Sequence, residues 1–337
     1  MRTYRTGADP LLAAFAVALC LLLSGMMHPA LAQEALASWN DTAAKARIMD
    51  FVKATTTEGS EGYVAPADRI AVFDNDGTLW SEQPVYNQLA FVFDRVKALA
   101  PEHPEWKTKE PYKSVLAGDL KGVAENGQKG LVDLLTVTHA GMTTDQFSKI
   151  VADWFASAKH PKTGMPYDEM TYLPMRELLD YLRANGFKTF VVSGGGVEFM
   201  RPMTEKMYGI PPEQVVGSTI ATEYAMVGDV PVLNRLPKID FVDDGKGKPV
   251  GINTFIGRKP IFVAGNSDGD YEMLRWVAAR SPGFAMIVHH TDGDREVAYD
   301  RKSAVGKLDK ALDEAGRRNW LVVDMKTDWN KVFAFER

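Results

Sequence analysis

Two carboxylates two residues apart, Asp74 and Asp76, followed by Gly77 and Thr78, close a short apolar run from Ile70 to Phe73. The run is rich in β-formers and reads as a buried strand. In an open α/β sheet, ligands bind beyond the carboxyl ends of the strands. Alternation along an extended chain sends Asp74 and Asp76 to the same side. Like charges held that close repel unless a cation or a proton intervenes. The pattern points either to a metal site or to an acid pair in which one member attacks and the other carries the proton.

Three later stretches carry comparable chemistry. Phe187 to Val192 is a second apolar strand and ends in Ser193-Gly194-Gly195-Gly196. A hydroxyl with consecutive glycine amides between a strand and a helix suits a phosphate. The polar loop Asp243-Asp244-Gly245-Lys246-Gly247-Lys248-Pro249 precedes a helix start at Val250. Lys259 to Ala264 is a third apolar strand, and it runs into Gly265-Asn266-Ser267-Asp268-Gly269-Asp270.

In this order, the four stretches resemble the four motifs of the haloacid dehalogenase (HAD) superfamily, whose members are mostly magnesium-dependent phosphatases. The resemblance covers roughly residues 69–325. It implies that Asp74 is the nucleophile, forming an aspartyl-phosphate that water hydrolyses, and that Asp76 is the general acid and base. Ser193 and Gly194 would bind the phosphate. A lysine would neutralise phosphate and nucleophile: Lys248 is expected, because Pro249 beside it suits a first helical turn, with Lys246 as the alternative. Mg2+ would be held by Asp74, the backbone carbonyl of Asp76, Asn266 and Asp270, oxygen donors that suit this ion. The family pattern usually has aspartate where this chain has Asn266, whose amide oxygen can bind the ion without bringing a charge. Asp268 is an extra carboxylate available to compensate.

Asp76 also bears on the reaction. Dehalogenases of the superfamily lack this acid and its P-type ATPases carry threonine there, so the resemblance implies a phosphatase. The Val-Val-Ser-Gly-Gly run and a helical insert look most like the phosphoserine phosphatase branch, in which Glu82 falls near a substrate-facing acid. A small phosphorylated metabolite such as phosphoserine or phosphorylcholine is the expected substrate. The alternatives are a non-catalytic protein that binds a phosphate ligand and a HAD phosphotransferase.

The elements that must position these residues follow from periodicity. A helix over roughly Trp39 to Ala54 precedes the first strand. Helical patterns over Val85 to Leu99, Gly130 to Thr138 and Thr144 to Ala158, with prolines between them, predict a helical insert at residues 81–170. The resemblance makes this a cap. Residues 33–80 then hold the N-terminal helix and first core strand, and residues 171–337 the remainder of the core. The fold expected is α/β: a Rossmann-like core with a mostly parallel sheet and a helical cap inserted after the first motif. Val215 to Leu236 reads as a hairpin around Val227-Gly228-Asp229. His289 and His290, after a strand over Phe284 to Val288, are either rim residues that meet substrate or ordinary loop histidines.

Composition bounds the setting. The 337 residues are 45% hydrophobic and 25% charged, ordinary for a globular chain. A net charge of −5 with no basic run argues against a nucleic-acid partner. Arg2 and Arg5 precede an apolar run from Leu11 to Leu23 and then Pro29-Ala30-Leu31-Ala32. That is the layout of a cleaved signal peptide over residues 1–32, and the run is too short for a membrane span. The expectation is an exported, periplasmic protein with no stable membrane anchor after cleavage. The single cysteine, Cys20, lies within that leader.

Overall fold

The computed structural model describes residues 36–336. The expected leader, residues 1–32, and Cys20 lie outside the described residues. Helix α1 (Ala43–Thr56) precedes strand β1 (Ile70–Phe73). Helices α2 (Asn87–Leu99), α3 (Tyr112–Ala117), α4 (Leu120–Glu125), α5 (Gly127–His139), α6 (Thr144–Phe155) and α7 (Leu173–Ala184) follow before β2 (Lys188–Gly196). Next come α8 (Val197–Tyr208), β3 (Val215–Val227), β4 (Val230–Phe241), α9 (Gly247–Gly251), β5 (Phe262–Gly265) and α10 (Tyr271–Ala278). The chain finishes with β6 (Phe284–His289), α11 (Lys310–Arg317), β7 (Leu321–Asp324) and α12 (Met325–Asp328).

The seven strands form one sheet in the order β4-β3-β2-β1-β5-β6-β7. All neighbours are parallel except β3 and β4. This is the mostly parallel α/β core expected. β1 sits where the strand order turns from β2 on one side to β5 on the other, the switch point at which such sheets bind ligands.

Alternation along β1 splits its side chains between two cores. Ala71 and Phe73 join Ile48 and Val52 of α1, Leu178 and Leu179 of α7, and Met207 of α8. Ile70 and Val72 face Leu274 and Val277 of α10 and Ala311 of α11. Helices therefore cover both faces, and β1 is buried throughout. Each of the larger side chains contributes about 1.5–3 kcal/mol on burial. The two turns of chain that follow β1 are held by this rigid centre.

The helices from α2 to α6 all fall between β1 and β2. At the start of α6, Thr143 and Gln146 form a reciprocal capping box. Among the described residues, no helix is long and apolar enough to cross a membrane.

Two elements differ from expectation. β2 continues through the glycine run instead of stopping at Val192. Its register against β3 breaks between Ser193 and Gly196, and Gly196 then pairs with Ser218. Gly217 permits that approach: a Cβ there would lie 2.7 Å from the Gly195 carbonyl oxygen. The hairpin is also longer than its apolar pattern suggests, with β4 reaching Phe241 around a two-residue Gly228-Asp229 turn. Its far strand docks on the insert, where Gly141 N donates to Arg235 O at 3.0 Å and Arg235 N to Met142 O at 2.9 Å. That support comes from tertiary contact and leaves no mark on the strand's own sequence.

Candidate active site

Register brings three motifs to one edge. Phe73 pairs with Val191 of β2 and with Ala264 of β5. Asp74, Ser193 and Asn266 lie just beyond those partners, and Asp74 N donates to Ala264 O at 3.0 Å. The fourth element, α9, enters from the same side and directs Lys248 inward.

Lys248 is 2% exposed and spends all three ammonium protons. Its Nζ donates to Asp74 Oδ1 at 2.7 Å, to Asp270 Oδ1 at 2.6 Å and to Val192 O at 3.1 Å. Lys246 is exposed on the loop outside, so the structure distinguishes the two lysines. Burial alone would lower the Lys248 pKa, but the charges of Asp270 and Asp74 more than offset it, so the ammonium stays protonated. Asp74 is pushed well above the usual carboxylate range by burial and by Asp270, with Lys248 pulling the other way. Its second oxygen makes no bond to protein among the described residues.

Asp270 has no open oxygen. Oδ1 meets Lys248, and Oδ2 accepts from Asn266 N at 2.9 Å and Ser267 N at 3.1 Å. It anchors the lysine to the turn. Asp268 faces away: its carboxylate accepts from the amides of Asp309, Lys310 and Ala311, capping α11. The expectation that Asp268 compensates for Asn266 is therefore corrected, because the helix it caps lies some forty residues further along the chain.

Asp76 is held to one side. Trp80 Nε1 donates to its Oδ1 at 2.9 Å, and the indole stacks on Phe155 of α6. Burial raises the Asp76 pKa to about 6, with the Trp80 bond and Lys248 opposing. Directly after Asp76, Gly77 takes φ +69°, and a Cβ there would lie 2.0 Å from Asn266 Nδ2. Only glycine fits this turn. Below it, His290 Nε2 contacts Gly77 O at 2.7 Å while Nδ1 faces Glu296, so His290 supports the turn from beneath. His289 lies instead beside Asp300 at 3.5 Å.

Asn266 uses both ends of its amide. Its Oδ1 accepts from Thr78 Oγ1 at 3.1 Å, and its Nδ2 donates to Glu82 Oε1 at 2.7 Å. Glu82 is 2% exposed and also accepts from Tyr299 OH at 2.7 Å. A Cβ on Gly306 would overlap its carboxylate. Glu82 is thus buried with its Oε1 held by protein, which corrects its expected place as a substrate-facing acid. Burial pushes its pKa well above the ordinary value, and Asp76 and Asp74 add to the rise.

The glycine run is held from outside the sheet. Ser193 is buried, and its Oγ accepts from Gly195 N at 3.1 Å, whereas Gly194 is exposed. Gly196 N donates to Gln88 Oε1 at 2.7 Å, and Gln88 Nε2 lies 3.0 Å from His139 Nε2. Thr138 Oγ1 lies 2.8 Å from Leu134 O, to which it donates, and accepts from His139 Nδ1 at 2.7 Å. That fixes the neutral tautomer in which His139 Nε2 accepts from Gln88. Gln88, His139, Trp80 and Tyr299 carry no motif and escape a reading of the sequence. A glutamine or a histidine on a helix looks the same whether it faces solvent or a glycine loop.

The donors suit a hard cation. Asp74, Asp76, Glu82 and Asp270 share the region with one ammonium; burial first, and the neighbouring acids after it, raise the pKa values of Asp74 and Glu82. No group of three or more histidine, cysteine, aspartate or glutamate side chains poised for a metal occurs among the described residues. The available set is mixed: the Asp74 carboxylate, the Asp76 carbonyl and the Asn266 amide oxygen. All are oxygens, and Mg2+ accepts a few protein oxygens with waters filling the rest.

Fold and site together define a Rossmann-like α/β enzyme core with an inserted helical module. Residues 71–275, more than half of the chain, match the family model of the haloacid dehalogenase-like hydrolases, and the chain belongs to that family. No curated protein matches it. Solved structures of similar shape include a conserved functionally unknown protein from Anaerococcus prevotii DSM 20548. The identity is 18%, the coverage 74% of this chain and 86% of that one, and the TM-score 0.49. A protein with unknown function from Bordetella pertussis Tohama I is 14% identical over 76% of this chain and 98% of that chain, with a TM-score of 0.47. A phospho-aspartyl intermediate analogue of phosphoserine phosphatase is 17% identical over 66% and 86%, with a TM-score of 0.31.

Proposed function

We propose that this chain is a magnesium-dependent phosphomonoester hydrolase that acts through an aspartyl-phosphate. One observation carries the reading: Lys248 bridges Asp74 and Asp270 at 2.7 and 2.6 Å, leaving the second Asp74 oxygen without a protein partner. A carboxylate oriented through one oxygen and open at the other is arranged to attack.

In the first step the Asp74 oxygen bonds to phosphorus as the ester P–O bond breaks, and Asp76 gives its proton to the departing alkoxide. In the second step Asp76 takes a proton from water as that water attacks the aspartyl-phosphate, releasing phosphate and restoring Asp74. Lys248, the Ser193 hydroxyl and the exposed Gly194 amide offset the charge on the phosphoryl oxygens. Asp74, the Asp76 carbonyl and Asn266 would hold Mg2+, with Asp270 behind them. When bound, the ion neutralises charge shared by nucleophile and phosphate.

The substrate is a small phosphorylated metabolite such as phosphoserine or phosphorylcholine, and the protein is exported to the periplasm. The signal-like residues 1–32 support the location. The test is hydrolysis of phosphoserine, phosphorylcholine and an aryl phosphate by the mature protein, with and without Mg2+. Magnesium-dependent turnover that disappears in Asp74→Asn, in a normally folded variant, is expected. Absence of turnover with every ester would overturn the reading in favour of a binding protein or a phosphotransferase.

A further inference from the structure

We propose that Glu82 is the outer carboxylate of the cation site, supplying through the Asn266 amide the negative charge that asparagine lacks at this position. The inference rests on the magnesium-dependent reading above.

The orientation of the amide is set by its neighbours. Glu82 Oε1 accepts from Tyr299 OH and from Asn266 Nδ2, both at 2.7 Å, which fixes Nδ2 toward Glu82; a cation in the site would hold the carboxylate ionised against the upward pull of burial. The oxygen is thereby turned to the other side, where Thr78 Oγ1 donates to it at 3.1 Å. A negative group bonded to the N–H end of an amide increases electron density on the carbonyl end. The same relation operates where a carboxylate stands behind a metal-bound histidine.

Glu82 is placed for this role and for little else. Tyr299 OH holds the same Oε1 at 2.7 Å, and Gly306 closes against the carboxylate. No substrate group has room to reach that oxygen. Gly77, directly after Asp76, packs against both partners: a Cβ there would lie 2.0 Å from Asn266 Nδ2 and 2.4 Å from Glu82 Oε1. The pair is therefore built into the motif turn. Glu82 acts here as a positioning residue, through Asn266.

Calorimetric titration of the mature protein with Mg2+, in the absence of substrate, tests the assignment. Glu82→Gln is expected to weaken Mg2+ binding about 10–100-fold. Asn266→Asp in the Glu82→Gln background is expected to recover most of that loss. The same Asn266→Asp change in the wild-type background recovers less, because the new carboxylate then faces Glu82. Tyr299→Phe, which removes one hydroxyl, guards against a Glu82→Gln protein that fails to fold. That change frees the Glu82 carboxylate from one restraint, and a weakening of Mg2+ binding smaller than that of Glu82→Gln is expected. Unchanged Mg2+ affinity in folded Glu82→Gln or in Tyr299→Phe overturns the proposal while leaving the phosphatase reading intact. Failure of the wild-type protein to bind Mg2+ overturns both.

Discussion

The indole N–H of Trp80 donates to the Asp76 carboxylate at 2.9 Å, and the same ring stacks on Phe155 of the inserted helix α6. The proposed general acid is thus tethered to a residue that rests on the helical module. Trp80→Phe keeps the aromatic contact and removes the tether. The expected result is a fall in kcat of about tenfold with alkyl phosphates, a fraction of the 10²–10⁴ attributed to general acid catalysis as a whole. An aryl phosphate, whose leaving group needs little protonation, should lose less. Equal losses with both esters in steady-state kinetics would show that the tether does not serve the acid.

Lys248 stands between two buried carboxylates, so its removal has a cost beyond activity. Lys248→Met leaves Asp74 and Asp270 facing each other without a counter-charge, and a loss of about 3–5 kcal/mol of stability is expected at pH 7. The sign of the pH dependence follows from protonation. Acids with raised folded-state pKa values contribute stability that is present at low pH and lost as pH rises, so the deficit shrinks toward pH 4–5. Urea unfolding of wild type and variant at pH 5 and pH 7 measures the difference, and a deficit independent of pH would refute the charge argument.

Gln88 joins the insert to the glycine loop through Gly196 N and His139. Gln88→Leu leaves the Gly196 N–H without its partner, a change of about 1 kcal/mol at a half-buried donor. Because the loop is assigned to phosphate binding, KM should rise roughly tenfold or more, with kcat changing less. Gln88→Glu retains the acceptor for Gly196 and should recover part of the loss. An unchanged KM for Gln88→Leu would place the glycine amides outside the substrate site.

Asp243 is fully buried, and neither of its oxygens has a hydrogen-bond partner among the described residues. Burial raises its pKa to about 7, with Lys248 opposing. The folded state therefore binds a proton that the unfolded chain releases near pH 4. Stability from this group is present below that point and declines as pH rises through about 7. Asp243→Asn should flatten the decline, by at most about 1.4 kcal/mol per pH unit for one proton. Thermal unfolding between pH 5 and pH 8 detects it, and parallel curves for the two proteins would exclude Asp243 as the titrating group.

The limits of local reading show in particular residues. Asp74, Asp76 and Gly77 announce themselves because a strand end and its turn are local structure, decided by alternation and by the one residue that tolerates a positive φ. The capping box at Thr143 is equally local. Asp268 shows the opposite: beside Asn266 in sequence it looks like a spare ligand, yet its partners lie at residues 309–311. Glu82 looks like a cleft acid until Tyr299 and Gly306, more than two hundred residues away, enclose it.

By itself, the sequence determined the α/β class, the order of the motifs, the helical insert after the first of them and the residue types available for chemistry. Those depend on periodicity and on spacing within a few residues. Only the tertiary structure decided between Lys248 and Lys246, turned Asp268 away, closed Glu82 onto Asn266 and tied Asp76 to the insert through Trp80. The physical reason is reach. A hydrogen bond is a contact of about 3 Å between atoms, and Lys248 makes its bond to a residue 174 positions away. No pattern along the chain encodes that separation until β1, β2 and β5 pair and bring their carboxyl ends to one edge.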